Sequence, residues 1–410
     1  MQIIADLQLH SKYSRAVSQQ MIIPQIFEWA KRKGIKLIAT GDWTHPLWMR
    51  EIKANLTEDG SGLLKLKTQM ANVKTEEVDI INTRWEDEKE KSDYAPKFLL
   101  ATEVSSIYSQ GGKLRRIHNL IWAPTIATAE KINKELVGRG ANLIADGRPI
   151  IGLTSIQVAE LVLSIDPTCL IIPAHCWTPW FSLYGSESGF DSIDECFGSF
   201  AKYIYAVETG LSSSPAMNWR IKELDNRSIV SFSDAHSGPK LGREATVFES
   251  EELSYSAIRE AISQIRPIGQ IGGKNRIAYT IEFYPEEGKY HYTGHRNCDI
   301  KQNPSETKQK GTICPVCGKK LTIGVMHRVE QLAGRKEEEL GIKNQELSGT
   351  QIKGIFSAAF PHRPPFIKLV PLQEILAESL GGLPTSQNIQ NEYKKLTDYF
   401  GDEFKVLLEI

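Results

Sequence analysis

Net charge is what this sequence has least of: 49 Lys and Arg stand against 50 Asp and Glu, a formal −1 at pH 7. A global positive field is therefore excluded, and any contact with nucleic acid has to come from local patches. No apolar run approaches the ~20 residues of a membrane-spanning helix. The N-terminus carries Asp6 and Lys12 where a signal peptide needs an apolar core. Internal repeats and low-complexity tracts are missing, which argues against solenoids and compositionally biased linkers. Cysteine is sparse, with six in 410 residues. Cys169, Cys176 and Cys196 are scattered, whereas Cys298, Cys314 and Cys317 cluster with His295. Such placement fits a reducing cytoplasm and one structural metal site better than a disulfide framework. What remains is ordinary for a globular chain, 41% hydrophobic and 24% charged, and its length implies two or three domains.

From residue 1 to about 270, short β-type runs alternate with helical patterns. Strands are expected at 2–9, 36–40, 97–104, 116–122, 168–174, 204–208 and 229–233. A helix over 24–33 starts at Pro24 and stops at Gly34, and others are expected at 128–137, 155–163 and 253–263. Seven strands with crossovers predict an α/β fold, a parallel barrel related to the eight-stranded kind with its site at the C-terminal rim. The stretch 51–93 fits poorly; with its charge run at 86–91 it reads as a solvated surface insertion. Composition changes after Gly272-Gly273. A strand at 279–284, a Cys/His module and a helix at 325–335 follow. Then come Pro361, Pro364, Pro365 and Pro371, and amphipathic helices at 372–380 and 388–400. The expected organisation is a metal-dependent hydrolase domain over 1–272, a zinc-binding module over 273–330 and a helical region over 331–410.

Metal-ligand residues recur where the β-type runs end. They stand in Asp6-Leu7-Gln8-Leu9-His10, in Gly41-Asp42-Trp43-Thr44-His45, at Glu103, His118 and His175, and in Ser233-Asp234-Ala235-His236. Alternate strand residues share a face, so Asp6, Gln8 and His10 point one way. One histidine in a strand is ordinarily a satisfied core residue. Six strand ends carrying a ligand type instead indicate a polynuclear metal site, and such sites perform hydrolysis.

These motifs resemble the polymerase and histidinol phosphatase (PHP) superfamily, whose signature runs from a D-x-H-x-H strand through Glu, His and His to D-x-H. The match covers about the first two-thirds of the chain. The longer segments 6–18 (DLQLHSKYSRAVS), 41–46 (GDWTHP), 173–180 (PAHCWTPW) and 233–238 (SDAHSG), with the later module, are similar to the endonuclease Q family within it. The resemblance implies a PHP-type distorted seven-stranded (β/α) barrel, followed by a zinc-ribbon-like module and a helical C-terminal region. It also implies two or three divalent ions, Mg²⁺, Mn²⁺ or Zn²⁺. One ion would take Gln8, His10, Glu103 and Asp234, and a second would share Glu103 with His118 and His175. A third would involve His236 and His45, with Asp42 a candidate, while Asp6 would orient a ligand. Glu103, Asp234 and His236 would be catalytic. Two departures stand out. Gln8 replaces the usual His with an amide oxygen, which suits Mg²⁺ or Mn²⁺ better than Zn²⁺. Residues 11–20 hold no Asp, so the third site is either incomplete or borrows Asp42.

The pattern His295-x2-Cys298-x15-Cys314-x2-Cys317 has knuckle spacing at both ends and supplies four ligands for one structural Zn²⁺, with His291 a rival to His295. Residues 271–330 hold ten Lys/Arg against six Asp/Glu, with tyrosines interleaved, which suits phosphate contact and base stacking. Lys319 and Lys320 are candidates there, and Lys113, Arg115 and Arg116 form a second patch. The family implies nicking of DNA 5′ to deaminated bases (uracil, hypoxanthine, xanthine) and to abasic sites, so damaged DNA is the expected partner and no membrane is. Trp180 and Phe181, after His175, are placed either to line a pocket for an extruded base or to pack in the core. The same rim would also serve a small-molecule phosphoesterase, or survive in a DNA-binding protein that no longer cleaves.

Overall fold

The computed structural model describes residues 1–67, 95–263 and 273–410. The charge run at 86–91 and the boundary expected at residue 272 lie outside the described residues. The architecture is mixed α/β around one large sheet, thirteen strands among the described residues. Gln2–Asp6, with Ile3 and Ala5 fully buried, pairs parallel to Leu37–Ala39, which pairs parallel to Lys97–Gln110. The helix Ile23–Lys33 crosses between the first two and buries Ile23, Ile26, Phe27 and Ala30. Pro24 lies in its first turn, and Gly34, at φ 86°, closes it with a backbone N–H bond to the Ala30 carbonyl.

Beyond that point the parallel order expected from the sequence gives way. Gly111 and Gly112, at φ 61° and 72°, form a two-residue hairpin turn. The chain returns directly as Lys113–Ala123, antiparallel to Lys97–Gln110 along its whole length. That strand pairs antiparallel with Leu170–Pro173. Ala206–Glu208 and Ser228–Val230 form a separate parallel pair. Single hydrogen bonds tie this pair in: Cys176 N–H donates to the Glu208 carbonyl at 3.0 Å, and His10 N–H donates to the Ala235 carbonyl at 3.0 Å.

The sheet runs on past residue 272. Arg276–Glu282 pairs antiparallel with Ala245–Glu249, itself antiparallel to Gln2–Asp6. Phe366–Lys368, Lys353–Ser357 and Ile342–Glu346 then extend its edge. The region after residue 331 is thus not helical throughout. Apart from Val325–Leu332 and a 3₁₀ turn at Glu337–Leu340, helices resume only at Leu372. Pro361, Pro364 and Pro365 exclude a continuous helix before that point.

The last helices dock on the first. Lys33, 1% exposed, places Nζ 2.7 Å from Glu403 Oε2, which also accepts the Tyr393 hydroxyl at 2.6 Å. Glu403 Oε1 accepts the Leu372 N–H at 3.1 Å. No helix among the described residues is long and apolar enough to cross a membrane.

Two buried carboxyls in the sheet lack cationic partners at hydrogen-bond distance. Glu282 Oε1 accepts from the Ser231 and Thr280 hydroxyls, and Glu244 Oε1 accepts the Phe283 N–H, yet Oε2 of each has no partner. Burial pushes Glu282 up to about 7. Burial and the charges of Glu282 and Glu208 push Glu244 well above the carboxylate range. A carboxyl raised in this way binds its proton more tightly when folded. Its contribution is complete below the ordinary value of 4.5 and is lost as pH rises through about 7. Glu282→Gln mimics the protonated form, so thermal melts should show it stabilised by about 1–3 kcal/mol at pH 8 and unchanged at pH 4.

Candidate metal centres

Glu103 is the pivot of the site. It lies in the middle of the long strand Lys97–Gln110, is 2% exposed, and presents its two oxygens to two groups of side chains. Oε1 lies 2.6 Å from His118 Nδ1 and 3.5 Å from His175 Nε2. Oε2 lies 3.4 Å from His10 Nε2 and accepts the Gln8 amide at 2.8 Å. His10 Nε2 is also 3.2 Å from Asp234 Oδ1, which is 3.8 Å from His236 Nε2. Ligand atoms of Glu103, His118 and His175 form one compact group, and those of His10, Asp234 and His236 a second.

Three of the four imidazoles, those of His10, His118 and His175, are oriented through the nitrogen turned away from Glu103. Asp42 Oδ1 sits 3.0 Å from His10 Nδ1, while its Oδ2 accepts the Ser11 N–H and the Ser11 and Ser14 hydroxyls. A carboxylate there keeps a proton on Nδ1 and turns Nε2 toward Glu103 and Asp234. Ser105 Oγ lies 3.1 Å from His118 Nε2, and Thr178 Oγ1 lies 3.1 Å from His175 Nδ1.

The donor set fits divalent cations. Gln8 Oε1 and His236 Nε2 are buried atoms without a hydrogen-bond partner. Converging acceptors of this kind are costly unless a cation sits among them. Burial pushes Glu103 up, but His118, Arg148 and the hydrogen bonds of His10 and His118 outweigh it and hold the carboxyl well below its usual range. Asp234 is likewise drawn down to about 2, its hydrogen bond and ion pair with His10 outweighing burial. Burial pulls His118 down to about 4 against the attraction of Glu103, so its imidazole is neutral at pH 7. Burial lowers His10 and His175, but the carboxylates around them, Asp42, Asp234 and Glu103 among them, outweigh it and push both upward, so a cation binding there displaces a proton. Carboxylates and imidazoles are the donors that Zn²⁺ and Mn²⁺ sites use.

Three of these residues hold left-handed backbone: Asp42 at φ 41°, His175 at φ 31° and Asp234 at φ 47°. Such conformations cost a non-glycine residue about 1–2 kcal/mol. Buried carboxylates stand behind two of them. Asp6 accepts the N–H of Ser233 at 3.0 Å and of Gly242 at 2.9 Å, and Glu208 accepts the N–H of His175 and of Gly210. Burial raises Asp6 to about 6 and Glu208 to about 8.

His45 stands apart from both groups. Its ring stacks on Tyr13 with centroids 4.4 Å apart, and its Nε2 meets the Ile144 carbonyl at 3.2 Å. Asp42 is occupied by His10 and two serines. In the Cys/His module the ligand atoms of His295, Cys298, Cys314 and Cys317 form a third compact group. His291 is turned away, its Nδ1 3.3 Å from the Ser212 carbonyl. Desolvation raises the Cys314 thiol, but the Cys317 and Val316 N–H groups and the His295 side chain bring it down to about 6.

Of the basic candidates, Lys113, Lys319 and Lys320 are exposed, with Lys320 Nζ 3.5 Å from Glu187. Arg115 donates to the Gly189 carbonyl and lies 4.0 Å over the Phe190 ring, so it serves packing, and Arg116 faces Phe181 at 5.5 Å. The Phe181 ring is half-buried, 4.7 Å from the His118 ring, and Trp180 meets Tyr290 edge-on at 5.9 Å. Trp177 and Tyr184 are core residues stacked on each other.

The residue most conspicuously missed in the sequence is Arg148. Its Nη1 lies 3.3 Å from Glu103 Oε1 and 3.5 Å from His10 Nε2, with a quarter of the side chain exposed. It precedes Pro149 in an irregular loop, and no periodicity marks it. Glu208 had a signal, because it ends the apolar run Ala206-Val207 as Glu103 ends its own.

A mixed α/β protein with two adjoining His/carboxylate groups sharing one glutamate, and a separate Cys₃His group, is the class that fold and site define. Over its whole length the chain is similar to endonuclease Q. The crystal structure of the lesion-specific endonuclease PfuEndoQ from Pyrococcus furiosus shares 29% identity at a TM-score of 0.77, covering 100% of this chain and 86% of that one. A crystal structure of endonuclease Q, in complex with a 27-mer duplex substrate bearing an abasic lesion at the active site, also shares 29% identity at 0.77, covering 100% and 87%. Among curated proteins, the uncharacterized MJ0043 of Methanocaldococcus jannaschii is 31% identical over 57% of this chain, and the uncharacterized YqxK of Bacillus subtilis is 31% identical over 54%. The chain spans 26% and 53% of the lengths of those two relatives. A family model described as the MJ0043 C-terminal domain matches residues 371–410.

Proposed function

We propose that this protein is a metal-dependent DNA endonuclease that hydrolyses the phosphodiester 5′ to deaminated bases and abasic sites. The observation that carries the proposal is the Glu103 carboxylate, which faces two adjoining donor groups on a scaffold similar throughout to endonuclease Q. The seven strands around the site, tied at their weak joints by the Cys176–Glu208 and His10–Ala235 hydrogen bonds, support reading residues 1–272 as a PHP-type distorted barrel. Residues 273–330 then carry the zinc module, and 331–410 the C-terminal region.

Divalent ions held by Gln8, His10, Glu103, Asp234 and His236, and by Glu103, His118 and His175, would supply water activation and charge neutralisation on the phosphate. The protein's own contribution is geometry. Asp42, Ser105 and Thr178 fix which imidazole nitrogen faces the site. Arg148, partly exposed beside Glu103, is placed to take a non-bridging phosphate oxygen. Removing a damaged base from the stack needs an apolar surface beside the reacting phosphate, and the half-buried Phe181 ring against His118 offers one. Zn²⁺ in the Cys₃His group would be structural, since four protein ligands leave no open position. Lys113, Lys319 and Lys320 remain available for backbone phosphates.

The test is a nicking panel of duplexes carrying uracil, hypoxanthine, xanthine or an abasic site, beside p-nitrophenyl phosphate, with Mg²⁺, Mn²⁺ and Zn²⁺. Strand breaks at the lesion with little phosphoester turnover are expected. Asp234→Asn should lose cleavage by about two orders of magnitude or more while still binding DNA, because phosphate contacts lie elsewhere. Efficient turnover of the small ester with intact duplexes would instead establish a phosphoesterase.

A further inference from the structure

Glu208 belongs to neither donor group, yet it holds one of the proposed ligands, His175, through its main chain. Its Oε2 accepts the backbone N–H of His175, and its Oε1 accepts that of Gly210 at 2.7 Å. Its own carbonyl accepts the next N–H along, that of Cys176, at 3.0 Å. The side chain is sealed from solvent, with the residue 1% exposed. On the other side of His175 stands Gly210, at φ 61°. A Cβ there would lie 2.5 Å from the His175 Cβ and 2.8 Å from its Cα. His175 is itself left-handed, at φ 31°, so it depends on its surroundings to stay where it is. Thr178 holds its Nδ1 and its carbonyl, while Glu208 and Gly210 fix its N–H and the flank of its Cα and Cβ.

We infer that Glu208 and Gly210 form a brace that positions His175 for metal capture in the Glu103–His118–His175 group. Glu208 is thus a positioning residue, and the inference rests on the metal-centre reading of the preceding subsection. The brace acts on one group only. His10, Asp234 and His236 are held by other partners, among them Asp42 and, through Ser233, Asp6. Glutamine at position 208 keeps the volume but offers one acceptor oxygen and one amide donor. One of the two N–H groups would then face a donor. Alanine at position 210 leaves the charge alone and pushes His175 forward.

The experiment titrates Mn²⁺ into the metal-free rim of the full-length protein by calorimetry, for wild type, Glu208→Gln and Gly210→Ala. Thermal melts of the metal-free proteins and the Mn²⁺ dependence of nicking accompany it. Wild type is expected to show two classes of rim site. Each variant should weaken one class by about 10–100-fold and leave the other unchanged. The Mn²⁺ midpoint for activity should rise while the plateau at saturating Mn²⁺ is retained. Two intact classes in both variants would overturn the brace. So would equal weakening of both classes together with a lower metal-free melting temperature, which would make Glu208 ordinary scaffold. Failure of wild type to bind Mn²⁺ at all would overturn the metal reading itself, and the brace with it.

Discussion

Glu103→Gln is expected to cut lesion nicking by about a thousandfold or more, since metal-borne charge stabilisation of a phosphoryl transition state is worth several kcal/mol. The amide keeps the volume of the buried side chain and loses its charge. Both donor groups should suffer together, because Oε1 serves His118 and His175 while Oε2 faces His10. Calorimetric titration with Mn²⁺ distinguishes this from any residue confined to one group. Weakening of a single class of site would show that the carboxylate is not shared. Arg148 loses its closest carboxylate in the same variant, so part of the defect should appear as weaker substrate binding.

Cys314→Ser combined with Cys317→Ser should release one zinc ion per chain and unfold the module around it. Structural zinc in small Cys/His folds carries roughly 10–16 kcal/mol of binding free energy at neutral pH, and in such folds binding and folding are one equilibrium. The consequences should reach the Glu103 site. The segment that follows His175 leans on the module through Ser186 Oγ to the Ile323 carbonyl at 2.9 Å, Glu187 to Lys320 and Trp180 to Tyr290. DNA affinity should therefore fall along with zinc content. Unchanged metal analysis and unchanged melting would remove zinc from this group.

Strand-end ligands were legible in the sequence for a simple reason. A charged or ligand-type residue following an apolar β-type run is seldom buried without a partner, so Glu103, His118, His175 and Asp234 announce a shared site. Knuckle spacing was legible because two residues between ligands set a local turn, and His295 with three cysteines needs little tertiary information. Partner choice between distant residues was not legible. Nothing in Gly41-Asp42-Trp43-Thr44-His45 says that Asp42 turns to His10 and two serines while His45 stacks on Tyr13. Arg148 sits in a loop, where neither the 3.6-residue nor the 2-residue period applies. The Gly111-Gly112 turn was visible as residues, but an expectation of crossovers concealed the hairpin it makes. The strand Ile342–Glu346 was hidden because an edge strand exposed to solvent carries little apolar alternation.

The buried pairing of Lys33 with Glu403 has a consequence for how the chain is made. Ribosomes deliver Ile23–Lys33 well before Tyr393 and Glu403. An ammonium cannot be sealed away from water without its counter-charge. The surface of the first helix that later receives the helices of 387–409 therefore stays wet until they emerge, with the apolar residues beside it open to chaperones. A nascent chain stalled before Tyr393 would already hold Glu103, His118, His175 and Asp234, on a scaffold that is not yet locked.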